Sequence, residues 1–503
     1  MLSALMWRDL GISEQDWKAT PPAVRSALRA LQQQVRLMGI RFTAYEQQLA
    51  DLREQVTQVD DLKAEITELR ERLGQNSSNS SKPPSSDPPS YKPKPPREPK
   101  GRKRGGQPGH QGSTRRLLPA AEVDHLVELK PAACAGCGRK LRGADPQPER
   151  RQVSEVPPVR VEVTEYRRHA LRCPGCGALT RADWPTGVSG TSFGPRAQAI
   201  VGYLTGRLGA SHRDVTEAVS VLYGLPLSTG SVSAIQRHVS EAVAGPVDEA
   251  RRFTSRQVAQ HVDETGWREH GRLKWLWVNA TSDVTAFVVL DARSTEAAKR
   301  VISPEANGVV TTDRYWSYNW LPGCRRQVCW AHLRRDFQAM VERGGESALT
   351  GQALLEESKR LFKLWHKARD GGLLRERLAA LMKSVRQRVK KSLQAGARCG
   401  QKKTRRTCSN ILKVERSLWT FVRVEGVEPT NNEAERALRR AVLWRRKSFG
   451  TQSEEGSRFV GRILTVVTSL RQQGRDVLGF LAEVCRGALS GEAREQLIPA
   501  LPC

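Results

Sequence analysis

The chain has 503 residues, more than one hydrophobic core usually supports, so several modules joined by linkers are expected. Lysine and arginine number 82 against 53 aspartates and glutamates; the net charge of +29 suits a polyanionic partner, nucleic acid first and a ribosome-associated or merely basic role second. No run of about 18 uncharged apolar residues occurs, which excludes a membrane-spanning class and predicts a soluble, cytoplasmic protein, and ten cysteines are too few for a secreted disulfide scaffold.

Apolar residues recur at spacings of four and three through Val24, Leu28, Leu31, Val35, Met38, Phe42, Tyr45, Leu49, Leu52, Val56 and Val59. After one three-residue phase slip they resume at Leu62, Ile66, Leu69 and Leu73. This heptad seam predicts a coiled-coil oligomerisation region over residues 1–74; a long helix packed on its own chain is the alternative. Past Gly74 the composition turns to proline, serine and lysine. Proline fixes φ and lacks an amide donor, so residues 75–117 read as a flexible, extended linker. Its Lys82, Lys92, Lys94, Arg97, Lys100, Arg102, Lys103 and Arg104 suit a DNA backbone or minor groove, or simply keep a linker solvated.

Residues 118–190 hold two CxxC pairs, Cys134 with Cys137 and Cys173 with Cys176, each followed by glycine. Such turns let two thiolates wrap one tetrahedral ion, and a four-cysteine shell leaves no open position, so a structural Zn2+ in a zinc ribbon is expected. A redox pair is the runner-up, although that chemistry needs a single CxxC at a strand–helix junction. Residues 153–171, valine-rich and alternating with arginine and glutamate, predict a strand between the knuckles. Residues 191–250 read as helices, with a Gly-Leu-Pro turn inside DVTEAVSVLYGLPLSTGSVSAIQRHV and Ser228 or Thr229 available as a cap. A helix-turn-helix would offer Ser231, Ser233 and Gln236 to a major groove; a helical hairpin packed on the following domain is the alternative.

Residues 251–337 carry the chemistry. VAQHVDETGW, LKWLWVNATS and TAFVVLDARS read as three antiparallel strands, STEAAKRVI as a helix, and Val309 and Val310 as a short buried strand that delivers Asp313. That order matches the start of a ribonuclease-H-like fold, in which the first and fourth strands are neighbours and Asp263 and Asp313 project side by side. Carboxylates that close repel strongly unless a cation intervenes. Magnesium prefers oxygen ligands in an incomplete protein shell, and a pair of such ions activates an attacking hydroxyl and stabilises a leaving oxygen. Taken singly, each aspartate is better explained as a surface or turn carboxylate; their joint placement points to a metal site.

The motifs SSNSSKPPSSD (77–87), GGQPGHQG (105–112), the paired CxxC knuckles, HVDETGW (261–267), TTDRYWSY (311–318), CWAHLRRDF (329–337) and NNEAERALRR (431–440) stand in one order along almost the whole chain. Together they resemble transposases of the insertion sequence 66 family. The resemblance implies a multidomain α+β DDE transposase: N-terminal coiled coil, zinc ribbon, helical DNA-binding region, and a ribonuclease-H-like core with an all-helical insertion at 338–428 and its last part at 429–503. It implies catalytic Mg2+ or Mn2+ on Asp263, Asp313 and a third acid. DNA is the implied partner, as terminal inverted repeats and target, with self-association and companion transposition proteins. The family pattern, Asp-Asn-Asn, two variable positions, then Glu-Arg, aligns the third acid with Glu435 and leaves Glu433 variable; residues two apart on a helix point in nearly opposite directions. Thr430 stands where the family usually has aspartate, and can still cap the helix.

Several residues keep two readings. Cys329 and His332 are half of a metal site without a second pair nearby, or a packing and positioning element. Trp267, Trp316 and Trp330 stack on unpaired bases or belong to the core. The cluster Arg386, Arg388, Lys390, Lys391, Arg398, Lys402, Lys403, Arg405 and Arg406 grips phosphates or lines solvated helix faces. Arg436, Arg439, Arg440, Arg445, Arg446 and Lys447 suit a transferred strand. Two other functions compete with transposition: a zinc-containing DNA-binding regulator without catalysis, and a ribonuclease-H-like nuclease acting in repair or on RNA hybrids.

Overall fold

The structure, a computed structural model, describes residues 11–80, 87, 115–491 and 496–498, and falls into two units, Met1–Tyr91 and Lys92–Cys503. The basic residues from Lys82 to Arg104 lie outside the described residues.

In the first unit a short helix, α1 (Glu14–Ala19), is capped by Ser13 and precedes α2 (Pro22–Leu73). Proline at N1 costs α2 no hydrogen bond, because the first amides of a helix have no internal partner. The helix runs unbroken through the phase slip after Val59 for 52 residues, a length of about 78 Å at 1.5 Å per residue. Leu31, Val35, Phe42, Leu49, Val56 and Ile66 along its seam are 48–64 % exposed, so described residues of its own unit do not cover it. Beyond the cap at Gly74, the expected extended linker starts instead as a polar knot. The Asn79 amide donates to Gly74 O at 3.0 Å and Asn76 N to Asn79 Oδ1 at 2.8 Å, while Ser77 Oγ donates to Asp87 at 2.7 Å. These short polar side chains satisfy the helix-end carbonyl and one another, which offsets the pull of the prolines toward extension.

In the second unit, residues 115–190 bury almost nothing. The strand expected over 153–171 does not form: Val153, Val156 and Val163 are 80–88 % exposed, and only Ala170–Arg172 (β1) pairs, antiparallel, with Leu179–Arg181 (β2). Alternation specifies a strand only where a partner offers a ladder and an apolar face, and neither is present there.

Among the described residues six helices surround one apolar cluster: α3 (Pro195–Leu208), α4 (His212–Tyr223), α5 (Thr229–Ala242) and α6 (Ala244–Arg256), with α14 (Glu454–Gln472) and α15 (Val477–Ser490) from the C-terminal part. Ser228 caps α5, accepting from Ser231 N at 3.0 Å. Val232, Ile235 and Val239 of α5 bury against Ile463 and Val467, while Gln236 meets His212 at 3.2 Å. The α4–α5 pair therefore packs as a hairpin on its neighbours, with Ser233 exposed.

The sheet comprises β3 (Ala259–Glu269), β4 (Arg272–Ala280), β5 (Thr285–Leu290), then α7 (Thr295–Ile302), β6 (Val309–Thr312) and β7 (Arg326–Val328), in the order β5-β4-β3-β6-β7. The first three strands are antiparallel; β6 and β7 run parallel to β3. Val309 N donates to Val258 O at 2.7 Å, and a Cβ at Gly308 would lie 1.9 Å from Gln257 O. Only glycine lets β6 enter that close beside β3.

After β7 come α8 (Trp330–Glu342), α9 (Gly345–Arg369), α10 (Arg375–Gly396), α11 (Lys402–Lys413) and the single turn α12 (Thr420–Arg423). Leu333, Phe337 and Met340 of α8 share a core with Leu361, Val385 and Ile411, so α8 leads from the sheet into the helical insertion, and the 337/338 boundary falls inside a helix. Last are α13 (Asn432–Ser448), α14 (Glu454–Gln472) and α15 (Val477–Ser490). Helices α13 and α14 cover one face of the sheet, with Ala434, Leu438, Val460 and Leu464 against Trp267, Leu276 and Val278. Helix α7 and Tyr318 cover the other, against Val262, Trp277 and Val310. No helix among the described residues is long and apolar enough to cross a membrane.

Candidate active site

Register brings the two aspartates together. The last paired residues of β3 and β6 are His261 and Thr311, so Asp263 and Asp313 each lie two positions further along neighbouring parallel strands. Strand alternation then divides the HVDETGW motif. Val262 and Glu264 share the α7 face, whereas Asp263 shares the α13 face with Trp267. Burial, then the charges of Glu264 and Asp313, hold the Asp263 carboxyl well above the usual carboxylate range.

Glu264 was missed from the sequence, although period-two alternation marks it as the acid facing the other way. Its side chain is fully buried and accepts from Tyr318 Oη and Arg293 Nε. Arg293 also reaches Asp313 Oδ2 at 3.4 Å and lies 3.6 Å over the Tyr315 ring. Asp313 is held further by Tyr315 N, donating to Oδ1 at 2.8 Å, and by Arg326, whose guanidinium donates to the Asp313 carbonyl at 3.0 Å. Burial lowers the Arg326 pKa to about 10.

The third acid arrives on α13. Thr430, expected to cap this helix, does not: Asn431 holds the N-cap position and makes no side-chain capping bond. Instead the Asn431 amide donates to Val262 O at 2.9 Å, and its backbone N–H to Cys329 Sγ at 3.1 Å. One residue thus ties the start of α13 to the strand carrying Asp263 and to the end of β7. Glu435 turns toward α8, with Oε1 3.7 Å from His332 Nδ1 and Oε2 3.9 Å from Arg335. Glu433 turns the other way and pairs with Arg436. Burial alone would lower the His332 pKa, but its hydrogen bond to Cys329 and the charges of Cys329, Asp313 and Asp263 raise it to about 9. His332 therefore lies within electrostatic reach of both aspartates and beside Glu435.

The mutually repelling carboxylates of Asp263 and Asp313, and a buried Glu435 Oε1 without a hydrogen-bond partner, are chemically suited to hard divalent cations, although the ligand oxygens of the three acids do not all lie within 4.8 Å of one another. Elsewhere along α13, Arg207, Arg436, Arg440 and Arg471 line a cavity whose only acid among the described residues is Glu433. Of the other basic residues, Arg445 is not a strand-holding surface group: it donates to Thr265 Oγ1 at 3.0 Å and to the Gly266 carbonyl, pinning α13 to β3. Arg386 and Arg388 are engaged with Glu415 and Glu357, both at 2.8 Å. Trp267 and Trp330 are fully buried and belong to the core, whereas Trp316 is 54 % exposed, with its ring tilted against that of Tyr315 at 5.4 Å between centroids.

In the knuckles, Gly138 N closes on Cys134 O and Gly177 N on Cys173 O, both at 2.9 Å. Backbone amides of Gly136 and Cys137 lower the Cys134 pKa, and those of Cys176 and Gly175 lower that of Cys173. Each turn thus prepares one thiolate, beside its CxxC partner, for a metal such as zinc. The two pairs do not close into one cluster: the only trio of His, Cys, Asp or Glu ligand atoms within 4.8 Å of one another among the described residues is Cys329, His332 and Glu435.

The zinc-finger binding domain of transposase IS66 matches residues 131–177, which contain all four knuckle cysteines and support structural zinc and DNA binding. A family of unknown function, DUF6444, matches residues 19–116. Two uncharacterized proteins of Sinorhizobium fredii are similar: y4qI is 23 % identical across 76 % of this chain and 75 % of its own length, and y4jD 23 % identical across 78 % and 83 %. The family model for the IS66 transposase matches residues 192–458, more than half the chain, from α3 into α14 and across both aspartates and both candidate glutamates. This chain therefore belongs to the IS66 family of transposases, whose activity is the cutting and joining of DNA.

Proposed function

We propose that the chain is a DDE transposase that cleaves DNA at terminal inverted repeats and joins the ends to target DNA. In this reading a ribonuclease-H-like core, residues 251–337 and 429–503, is interrupted by the helical insertion and uses Asp263, Asp313 and Glu435 to hold two Mg2+ or Mn2+ ions. The observation that carries it is the equal offset of Asp263 and Asp313 past the paired ends of β3 and β6, with Glu435 in the first turn of α13, a helix that packs on the same sheet. When bound, such ions activate the attacking hydroxyl and stabilise the leaving oxygen. Arg293, Tyr318 and Arg326 hold Glu264 and Asp313 in place. The cavity lined by Arg207, Arg436, Arg440 and Arg471 receives the DNA backbone. The knuckle region, residues 118–190, contributes DNA binding once a single zinc draws both cysteine pairs together. The exposed seam of α2 pairs with a second copy as a coiled coil.

The test is strand transfer on the element's own ends with Mg2+ or Mn2+. Asp263→Asn, Asp313→Asn and Glu435→Gln are expected to abolish joining and spare DNA binding, whereas Glu433→Gln leaves joining nearly intact. An active Glu435→Gln variant, or loss only in Glu433→Gln, overturns the assignment of the third acid. DNA binding by the intact protein without metal-dependent cleavage on the correct ends favours a zinc-containing regulator instead.

A further inference from the structure

Cys329 follows β7 directly, His332 lies in the first turn of α8, and Glu435 in the first turn of α13. Their ligand atoms lie within 4.8 Å of one another. Cys329 is fully buried, and its sulfur accepts from the Asn431 backbone N–H at 3.1 Å. His332 Nδ1 and Glu435 Oε1 stand 3.7 Å apart, both buried and without hydrogen-bond partners. Neither atom makes a hydrogen bond at this separation, and an ion held between them would satisfy both. Arg335 neighbours the other Glu435 oxygen, Oε2, so Oε1 is the atom free to ligate.

We propose that Cys329, His332 and Glu435 form a three-ligand site for a thiophilic divalent cation of the zinc class, distinct from the knuckle zinc and sharing only Glu435 with the hard-cation pair. The donor set argues for that class, because thiolate and imidazole select zinc or cobalt, whereas magnesium takes oxygen. Ligands of one tetrahedral ion sit roughly 3–4 Å apart for metal–ligand bonds of about 2.0–2.3 Å. A small inward rotation of these side chains therefore closes the shell. Three protein ligands leave a fourth position open to water or phosphate, unlike a four-cysteine knuckle. The inference rests on the proposed function only in sharing Glu435: an ion here and the hard cations compete for one carboxylate.

Binding is read by cobalt spectroscopy on the full chain, which needs no DNA joining and so separates failure of this site from failure of the transposase reading. In a variant with Cys134, Cys137, Cys173 and Cys176 all changed to serine, Co2+ is expected to produce a thiolate-to-cobalt charge-transfer band at one equivalent. Cys329→Ser in that background removes the band. Glu435→Gln and His332→Gln keep it but weaken binding at least tenfold, a loss that removal of an outer-shell partner alone can cause. Circular dichroism establishes that each variant is folded; if Cys329→Ser is not, the Glu435→Gln and His332→Gln titrations decide. No charge-transfer band in the knuckle-free protein, a band that survives Cys329→Ser, or unchanged affinity in both conservative variants overturns the proposal.

Discussion

The knuckle region and the sheet show two ways of holding a functional geometry. Residues 115–190 expose nearly all their side chains, and their order resides in tight backbone turns around Cys134 and Cys173. The sheet lies between two apolar layers, and its acids are positioned by a dense polar network in which Arg293, Tyr318, Arg326 and Asn431 each hold a strand or an acid. A module without a core must draw its stability from a ligand, whereas a packed one can carry strained, like-charged groups because the surrounding packing over-determines them.

Metal removal should break this contrast most visibly. Structural zinc contributes apparent binding free energies of about 10–16 kcal/mol in zinc-finger peptides, so chelation should open residues 118–190 to limited proteolysis while the main cooperative melt stays in place. A melt that falls together with the knuckles would mean that the two regions are not independently stabilised.

Next in size is Arg293→Ala. Glu264 has no exposed side-chain surface, and removing the partner of a buried charge costs about 3–5 kcal/mol, so the denaturant midpoint should fall sharply. Joining should fall with it, because Asp313 loses the same guanidinium. An unchanged midpoint would show that Tyr318 alone satisfies Glu264.

Asn431→Ala should be milder, about 1–3 kcal/mol for a buried carbonyl left unpaired. Joining should fall by more than stability accounts for, since the bond from Asn431 to Val262 O sets where α13 delivers Glu435. Equal losses in stability and joining would reduce Asn431 to packing.

Thiol reactivity sharpens the comparison without altering stability. After chelation at pH 8, Cys134 and Cys173, whose pKa values are lowered by backbone amides, should alkylate first. Cys408 and Cys485 should alkylate last, because burial pushes their thiols up to about 11 and about 12. Peptide mapping by mass spectrometry reads that order directly; early labelling of Cys485 would mean that the α15 packing opens readily.

Much of this protein is legible in its residues because the signals are local and periodic. The seam from Val24 to Leu73 determines one long helix, and the order of strands and helix around HVDETGW and TTDRYWSY determines that β3 and β6 are neighbours. The cysteine spacing determines two metal-ready turns. Other features depend on contacts between distant segments, which periodicity does not encode. Alternation over residues 153–171 resembles a strand, yet without a partner no ladder forms before Ala170. Thr430 has capping chemistry, but Asn431 takes the N-cap position once Val262 O and Cys329 Sγ lie within its reach. The sequence by itself determined which acids could converge and which elements carry them. Only the tertiary structure decided that Glu264 turns to the opposite face, that Glu435 rather than Glu433 meets His332, and that Cys329 and His332 find a third ligand, because each depends on how helices from the two ends of the domain pack onto one sheet.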